Sequence, residues 1–378
     1  MTVSKRACAG LSPGRALKER FQHSPIAAVH NRGLAHMTGT ALSPNDAAQK
    51  AQQARAIREC LDRYIPECQP VALLQFPFDF NVGNHMMWVA AMDYLKQRNA
   101  PIAYTAHGHN LDLQQMIRAV GDGTILFSGG VTVSRLWPRH AEVKRIVAEA
   151  CPNNRLVSLP STMLFADDED RREASTIFGN HRNAVLLARD PVSAESARNV
   201  FPGNVHVETV HDSALLLPPQ PRHAAPDHDV IWLARDDMEG VGSLAPSDVE
   251  VFDWTHDDPA AMRVLFPGRF FSRVRRLAPT LRSIANRQIA GSYDRFARYV
   301  LASGNRRLDT GKVLVTDRMH PHILCALRSQ HSVLLPDRFG KNRAVYEYTG
   351  RNYSTVHWAD THEEALEIAR TVARSTPV

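Results

Sequence analysis

The stretch Val313-Leu-Val-Thr-Asp-Arg-Met-His-Pro-His-Ile323 brings a strand, a turn and several reactive side chains into eleven residues. Residues 313–315 are a β-branched, apolar run suited to a buried parallel strand. Thr316 and Asp317 offer N-cap oxygens to a helix that starts near Met319 and continues through Ile323, Leu324, Ala326 and Leu327. A strand feeding a helix through a tight turn puts Arg318 and His320 at the carboxyl edge of a sheet. Open α/β sheets bind ligands there, and the helix N-terminus adds N–H donors and a positive dipole end. Arg318 can grip a carboxylate or phosphate through its planar fork, and His320 can move a proton near neutrality. The plainer alternative pairs Arg318 with Asp317 and leaves His320 and His322 as capping or packing residues. The clustering of these groups favours a ligand site.

Working outward, strand, loop and helix units recur on both sides of this stretch. Ser43-Pro-Asn-Asp46 opens a helix through Ala47, Ala51, Ala54, Ile57 and Leu61 that Pro66 ends. Strands are predicted at 71–76, 102–105, 124–127, 155–162, 184–188, 229–234 and 332–336, and a capped amphipathic helix at 361–373. The loop after the first strand, with Asn81, Gly83, Asn84 and His85, enters a helix that runs to about Arg98. The third strand ends in Ser128-Gly129-Gly130, where paired glycines let a backbone approach a ligand closely. His107 and His109 lack a third ligand at metal spacing and are read as loop imidazoles. Pro218, Pro219, Pro221 and Pro226 mark a linker between two domains. Between 263 and 312, arginines such as Arg269, Arg273, Arg276, Arg282 and Arg287 outnumber Asp294 and Asp309 and interleave with Phe266, Phe270, Phe271 and Leu277. Such a segment is either a basic amphipathic element for an anionic membrane surface or a solvated helix with an ordinary buried stripe.

A chain of 378 residues exceeds one ordinary core, so two domains are expected. With 44% hydrophobic and 22% charged residues, and no apolar run of spanning length, it does not read as an integral membrane protein. The five cysteines are odd in number and contain no C-x-x-C pair, which suits reduced thiols in a cytoplasm. A net charge of +6 calls for an anionic partner. No nucleic-acid motif accompanies the charge, so nucleic acid ranks last. Residues up to about 42 read as a basic extension, with Met1 and Met37 as alternative starts.

The central stretch also resembles the VTDRxHxHI signature of the polysaccharide pyruvyl transferase family. Ala188-Arg189-Asp190 with Ser193 is similar to that family's A-R-E/D-x-x-S motif, Arg155 to Thr162 to its R-x-V-x-L-P-Q-T element, and Arg235, Asp237 and Glu239 to an R-x-D-x-E element. Arg338-Phe-Gly-Lys-Asn342 looks like a D-N-x-Y-G-K-N turn, and His211-Asp212-Ser213 stands where the family tends to have P-D. Departures lie in the glycine loops. Asn84 replaces the Asp of an N-x-G-D pattern and cannot take a proton, leaving Asp79 and His85 as nearby substitutes. Val131 and Arg135 replace a Gly and an Asp of a G-G-G-N-x-G-D-L-W-P stretch, and Ser161 replaces a Gln.

The resemblance implies an α/β chain of two doubly wound, Rossmann-like domains facing a cleft, glycosyltransferase-B-like, and the proline-rich linker puts the boundaries at 1–64, 65–225 and 226–378. It implies transfer of the pyruvyl group of phosphoenolpyruvate to a sugar, as a cyclic ketal, on a lipid-linked exopolysaccharide unit at the inner leaflet. His320 and Arg318 are then catalytic, with His320 an acid or a base. Arg189, Arg318, Met319, His320, Ser193, Lys341 and Asn342 bind the donor, and Asn81, Gly83, Asn84, His85, Gly129 and Gly130 bind the acceptor. No metal or cofactor is called for. The alternatives are a glycosyltransferase of the same shape using a nucleotide-sugar, and a catalytically silent binding homologue.

Overall fold

The computed structural model describes residues 41–131, 133–235, 248–254 and 259–376. The basic extension and both candidate starts, as well as Asp237 and Glu239, lie outside these residues. From the amino end, α1 (Pro44–Tyr64) leads into a first sheet of β1 (Val71–Leu74), β2 (Ile102–Ala106), β3 (Thr124–Phe127), β4 (Gly130–Val131), β5 (Leu156–Thr162), β6 (Ala184–Ala188) and β7 (His206–Thr209). Its connecting helices are α2 (Val82–Gln97), α3 (Leu113–Val120), α4 (Pro138–Ala150), α5 (Asp168–Gly179) and α6 (Pro191–Val200). The second sheet holds β8 (His228–Leu233), β9 (Glu250–Phe252), β10 (Gly311–Thr316), β11 (His331–Leu334) and β12 (Val356–Trp358). With it come α7 (Pro259–Val264), α8 (Phe266–Leu277), α9 (Arg282–Asp309), α10 (Met319–Ala326), α11 (Lys341–Val345) and α12 (His362–Ser375).

Both sheets are parallel throughout. Their orders are β2-β1-β3-β5-β6-β7, with β4 on β5, and β12-β11-β10-β8-β9. In each, the chain starts on an inner strand, adds a neighbour on one side, then crosses to the other. The switch points fall between β1 and β3 and between β8 and β10. Crevices at the carboxyl ends of such strands are where open α/β sheets take ligands. The proline-rich segment lies between β7 of one sheet and β8 of the other.

Local chemistry explains many element ends. Ser43, Asp167 and Thr361 cap α1, α5 and α12 by accepting from Asp46, Asp170 and Glu364 N–H groups. The predicted cap of α10 is corrected. Arg318 holds the N-cap position, while Thr316 Oγ1 accepts from Arg318 N at 3.0 Å and donates to Leu233 O at 2.8 Å. Asp317 instead accepts from Arg235 N at 3.0 Å, which ties the ends of β8 and β10 together.

Two helices join the halves. α1 reaches the second half through Asp46, which accepts from Ser354 N and Oγ at 2.9 and 2.6 Å, and through Gln53, which donates to Thr349 O at 2.9 Å. It reaches the first half through Asp62, which accepts from Tyr94 Oη at 2.8 Å. α9 runs from the first sheet to β10: Asn286 donates to Ala103 O at 2.7 Å, Tyr293 stacks on Phe76 with centroids 4.0 Å apart, and Gly304 packs on Val82. Ile289, Phe296 and Val300 join a core that also contains Trp88, Leu126, Ile231 and Leu314. The basic segment at 263–312 is therefore divided. Its longer part, α9, buries an ordinary stripe between the halves, and α8 keeps an exposed face. Phe296→Ala empties a site touching both halves, and is expected to lower the unfolding free energy by about 3–5 kcal/mol, read as a shift of the urea midpoint with unchanged slope.

Candidate active site

Strand ends of both sheets converge on one cavity. Its lining comprises Asn81, Asn84, Gly130, Arg189, Arg235, Arg318, Met319, His320, Pro321 and Lys341, enclosing about 80 Å³. Arg189 follows β6, Arg235 follows β8, and Arg318 and His320 follow β10, so the cations come from both sheets. A second compartment of about 420 Å³ shares Asn81, Asn84, Gly130 and Arg235 with the first. It adds Gln75, Phe78, Asp79, His107, His109, Gly129, Trp137 and Arg139, among others. A small basic chamber thus opens into a larger one rimmed by aromatic rings and amides.

The basic chamber rests on buried ion pairs. Arg189 donates from Nη1 to Asp212 Oδ2 at 3.0 Å and from Nε to Thr162 Oγ1 at 2.9 Å. Arg318 donates from Nη2 to Asp253 Oδ2 at 2.6 Å. Both guanidinium residues are 3% exposed. Asp212 also lies 3.4 Å from His320 Nε2, which makes it a hub between an arginine of the first half and the histidine of the second. Burial opposes charge on Asp212, but His320, Arg189 and the Ala214 N–H overcome it and hold the carboxyl below its usual range. Burial pulls the His320 imidazolium below its ordinary value, with Arg189 and Arg235 adding to the shift and Asp212 opposing it. The consistent charge state at neutral pH is an ionised Asp212 beside a neutral imidazole.

His320 lies on the backbone of α2. A Cβ at Gly83 would come 2.5 Å from its ring, so only glycine admits the imidazole here. Gly83 sits in the first turn of α2, which Asn81 caps by accepting from Gly83 N at 3.1 Å. Asn84 Nδ2 donates to Asp79 Oδ2 at 3.0 Å, and Asp79 lines the larger compartment. Of the two substitutes for the missing Asp, Asp79 therefore borders the cleft. His85 points away: it is fully buried against Phe76 and Phe296, with Nε2 2.8 Å from Asp79 O. Gly130 adopts φ +126°, and a Cβ on Gly129 would strike Pro160 O at 2.6 Å, so the paired glycines shape this wall.

The structure gathers Arg189, Arg318, Met319, His320 and Lys341 with Asn81, Asn84, Gly129 and Gly130, and places Gly83 beneath His320. Three expected side chains do other work. Ser193 is buried in the first turn of α6, where Oγ donates to Asp190 Oδ2 at 2.7 Å and accepts from Met163 N at 3.2 Å. Asn342 Nδ2 donates to Asp317 O and Leu335 O at 2.7 and 3.0 Å, fixing the turn after β10. His85 packs as described. Sequence reasoning placed Arg235 and Asp212 in matched stretches without assigning them to the site, and passed over Asp253. Arg235 follows a recognised strand, so its position at a binding edge was a usable signal. Asp253 follows β9, a short strand with no pattern of its own. Among the described residues, no group of three or more His, Cys, Asp or Glu is arranged to hold a metal ion.

The sequence profile of the polysaccharide pyruvyl transferase family matches residues 81–327, most of the span that supplies this cavity. The chain belongs to the polysaccharide pyruvyl transferase family. It is 26% identical over 301 residues to Pyruvyl transferase 1 of Schizosaccharomyces pombe (strain 972), covering 74% of this chain and 69% of that one. EpsO of Bacillus subtilis (strain 168), whose pyruvyl transferase designation is itself provisional, is 22% identical over 287 residues, covering 75% and 86% of the two chains. General stress protein 30 of the same organism is 21% identical over 323 residues, covering 80% and 87%. A solved structure of the Klebsiella pneumoniae protein KP1_0663 aligns with a TM-score of 0.49 at 16% identity, covering 82% of this chain and 99% of that one. Pyruvyl transfer to a polysaccharide is the activity that the family membership assigns. Gly83→Ala should displace His320 without emptying the arginine cluster, so turnover is expected to fall about 10²-fold with the far-ultraviolet dichroism unchanged.

Proposed function

We propose that the chain moves the pyruvyl group of phosphoenolpyruvate onto two hydroxyls of a sugar, as a cyclic ketal, in a cleft between two domains of glycosyltransferase-B-like shape. The observation that carries the reading is the pairing of compartments. A small chamber faced by Arg189, Arg235, Arg318, Lys341 and His320 suits a compact trianion, and the adjoining larger one suits a saccharide. Arg318 and Arg189 hold the donor's carboxylate and phosphate, assisted by Lys341, Arg235 and the N–H groups at the start of α10. Phe78, Trp137 and the neutral His107 offer ring faces to the sugar, and Asn81, Asn84 and Asp79 offer hydrogen bonds to its hydroxyls.

The chemistry balances on these residues. The neutral His320 takes the proton of the first hydroxyl as its oxygen attacks C2 of the donor, and the imidazolium so formed, stabilised by Asp212, gives that proton to the methylene carbon. The methylene becomes a methyl group. The second hydroxyl then closes on C2 as the C–O bond to phosphate breaks, and its proton leaves with inorganic phosphate. Arginine and lysine neutralise the charge that gathers on the departing phosphate. The acceptor is read as a lipid-linked oligosaccharide, met by a cytoplasmic enzyme at the inner leaflet. No described helix is long and apolar enough to cross a membrane.

Phosphate release from phosphoenolpyruvate in the presence of a saccharide acceptor tests the reading. His320→Ala is expected to lower turnover by about 10²–10⁴-fold, and Arg318→Ala to raise KM for the donor or lower kcat by about 10²-fold. Turnover that survives His320→Ala would refute the assignment. Phosphoenolpyruvate inert beside an active nucleotide-sugar would replace this reading with a glycosyltransferase. If His320 begins the cycle neutral, kcat/KM falls on the acid side, below the ordinary histidine value of 6.5. Asp212 raises that group, so Asp212→Asn should move the acid limb to still lower pH. A limb on the basic side that moves down instead would make His320 the initial acid.

A further inference from the structure

The segment 259–293 contains seven arginines and no acidic residue. One of them, Arg275, is buried and donates to Thr105 O and Asn286 Oδ1, anchoring α8 on the first sheet. The opposite face of α8 turns outward. Phe266, Phe270, Arg273 and Leu277 recur in steps of four, three and four residues and so form one stripe. Phe266 is 71%, Phe270 55% and Leu277 81% exposed, and Leu281 and Ile284 extend the apolar patch beyond the helix. Arg273 lies within the stripe, and Arg269 and Arg276, also exposed, flank it on one side. The Arg269 guanidinium lies 6.0 Å from the centre of the Phe78 ring, and Phe78 lines the larger compartment of the cleft. The patch is therefore continuous with the mouth through which an acceptor enters.

From this we infer that the outward face of α8, with Leu281 and Ile284, is a docking surface for an anionic phospholipid bilayer, which sets the acceptor compartment against the membrane. The apolar stripe enters the boundary between headgroups and acyl chains, and the arginines beside it meet the lipid phosphates. The charge of the segment, entirely positive over its length, selects an anionic surface over a neutral one. The inference deepens the reading above, on which it rests for the lipid tether of the acceptor.

The test is co-sedimentation of the full chain with phosphatidylcholine vesicles containing about one-third phosphatidylglycerol, beside vesicles of phosphatidylcholine alone. The chain is expected to pellet with the anionic vesicles. The variant Phe266→Ser/Phe270→Ser/Leu277→Ser and the variant Arg273→Glu/Arg276→Glu should each lower the bound fraction about tenfold or more. Both should release phosphate from phosphoenolpyruvate with a water-soluble acceptor at the wild-type rate, which shows that they fold. Anionic-vesicle binding that neither variant weakens would overturn the proposal, as would equal binding to neutral vesicles. Light scattering that finds a wild-type dimer and a monomeric triple-serine variant would also overturn it, making a second copy the occupant of the face. Vesicle binding lost in both variants with their far-ultraviolet dichroism unchanged, from a wild type that releases no phosphate, would support this surface while refuting the donor assignment.

Discussion

A site for a multiply charged anion must keep its cations together, and out of bulk water, before the anion arrives. In this chain two carboxylates meet that constraint. Asp212 holds Arg189 and Asp253 holds Arg318, each pair almost wholly buried. Desolvating an ion pair is expensive, and removing one partner leaves a buried charge that typically costs about 3–5 kcal/mol. The two pairs are therefore poor stabilisers compared with an apolar core, and their value lies in geometry. They aim two guanidinium groups at one chamber and prevent them from repelling one another apart.

The same hub joins the arginine cluster to the histidine proposed to move the proton. Asp212 belongs to the first half of the chain and His320 to the second, yet they lie 3.4 Å apart, with the imidazole seated on Gly83 of α2. Any movement of the two sheets relative to each other would open this contact. The long α9 and the amino-terminal α1 oppose such movement: α1 is hydrogen-bonded to both halves, and α9 is bonded to the first sheet and packed in the core that the halves share. The aromatic stack of Phe76 on Tyr293 sits directly behind the loop that carries Asp79 and Asn81. Packing in the shared core therefore determines how the small basic chamber meets the larger compartment.

Much of this was legible from short-range pattern. The β-branched run at 313–315 and the helix start at Met319 follow from local preference, as do the caps at Ser43 and Thr361. The strand-end arginines Arg189 and Arg318 follow from the rule that open sheets bind at their carboxyl edges. What escaped depends on partners distant in sequence. Nothing near Asp253 announces that it will hold Arg318, and nothing near Asp212 that it will touch His320. A motif resemblance marks positions that matter for folding along with those that matter for chemistry. Ser193, Asn342 and His85 lie in matched stretches, but their side chains fix a helix turn, a loop and the core. Likewise, arginine spacing could not separate α9, whose apolar stripe is buried, from α8, whose apolar stripe is exposed.

In the proposed reading one chamber engages a carboxylate and a phosphate together. Calorimetric titration of the wild-type chain with phosphoenolpyruvate, inorganic phosphate and pyruvate tests it directly. Phosphoenolpyruvate is expected to bind at least about tenfold more tightly than either fragment, because the arginines and Lys341 would hold both of its ends at once. Phosphoenolpyruvate binding no more tightly than phosphate alone would contradict it, leaving a phosphate site without the donor specificity that the chemistry requires.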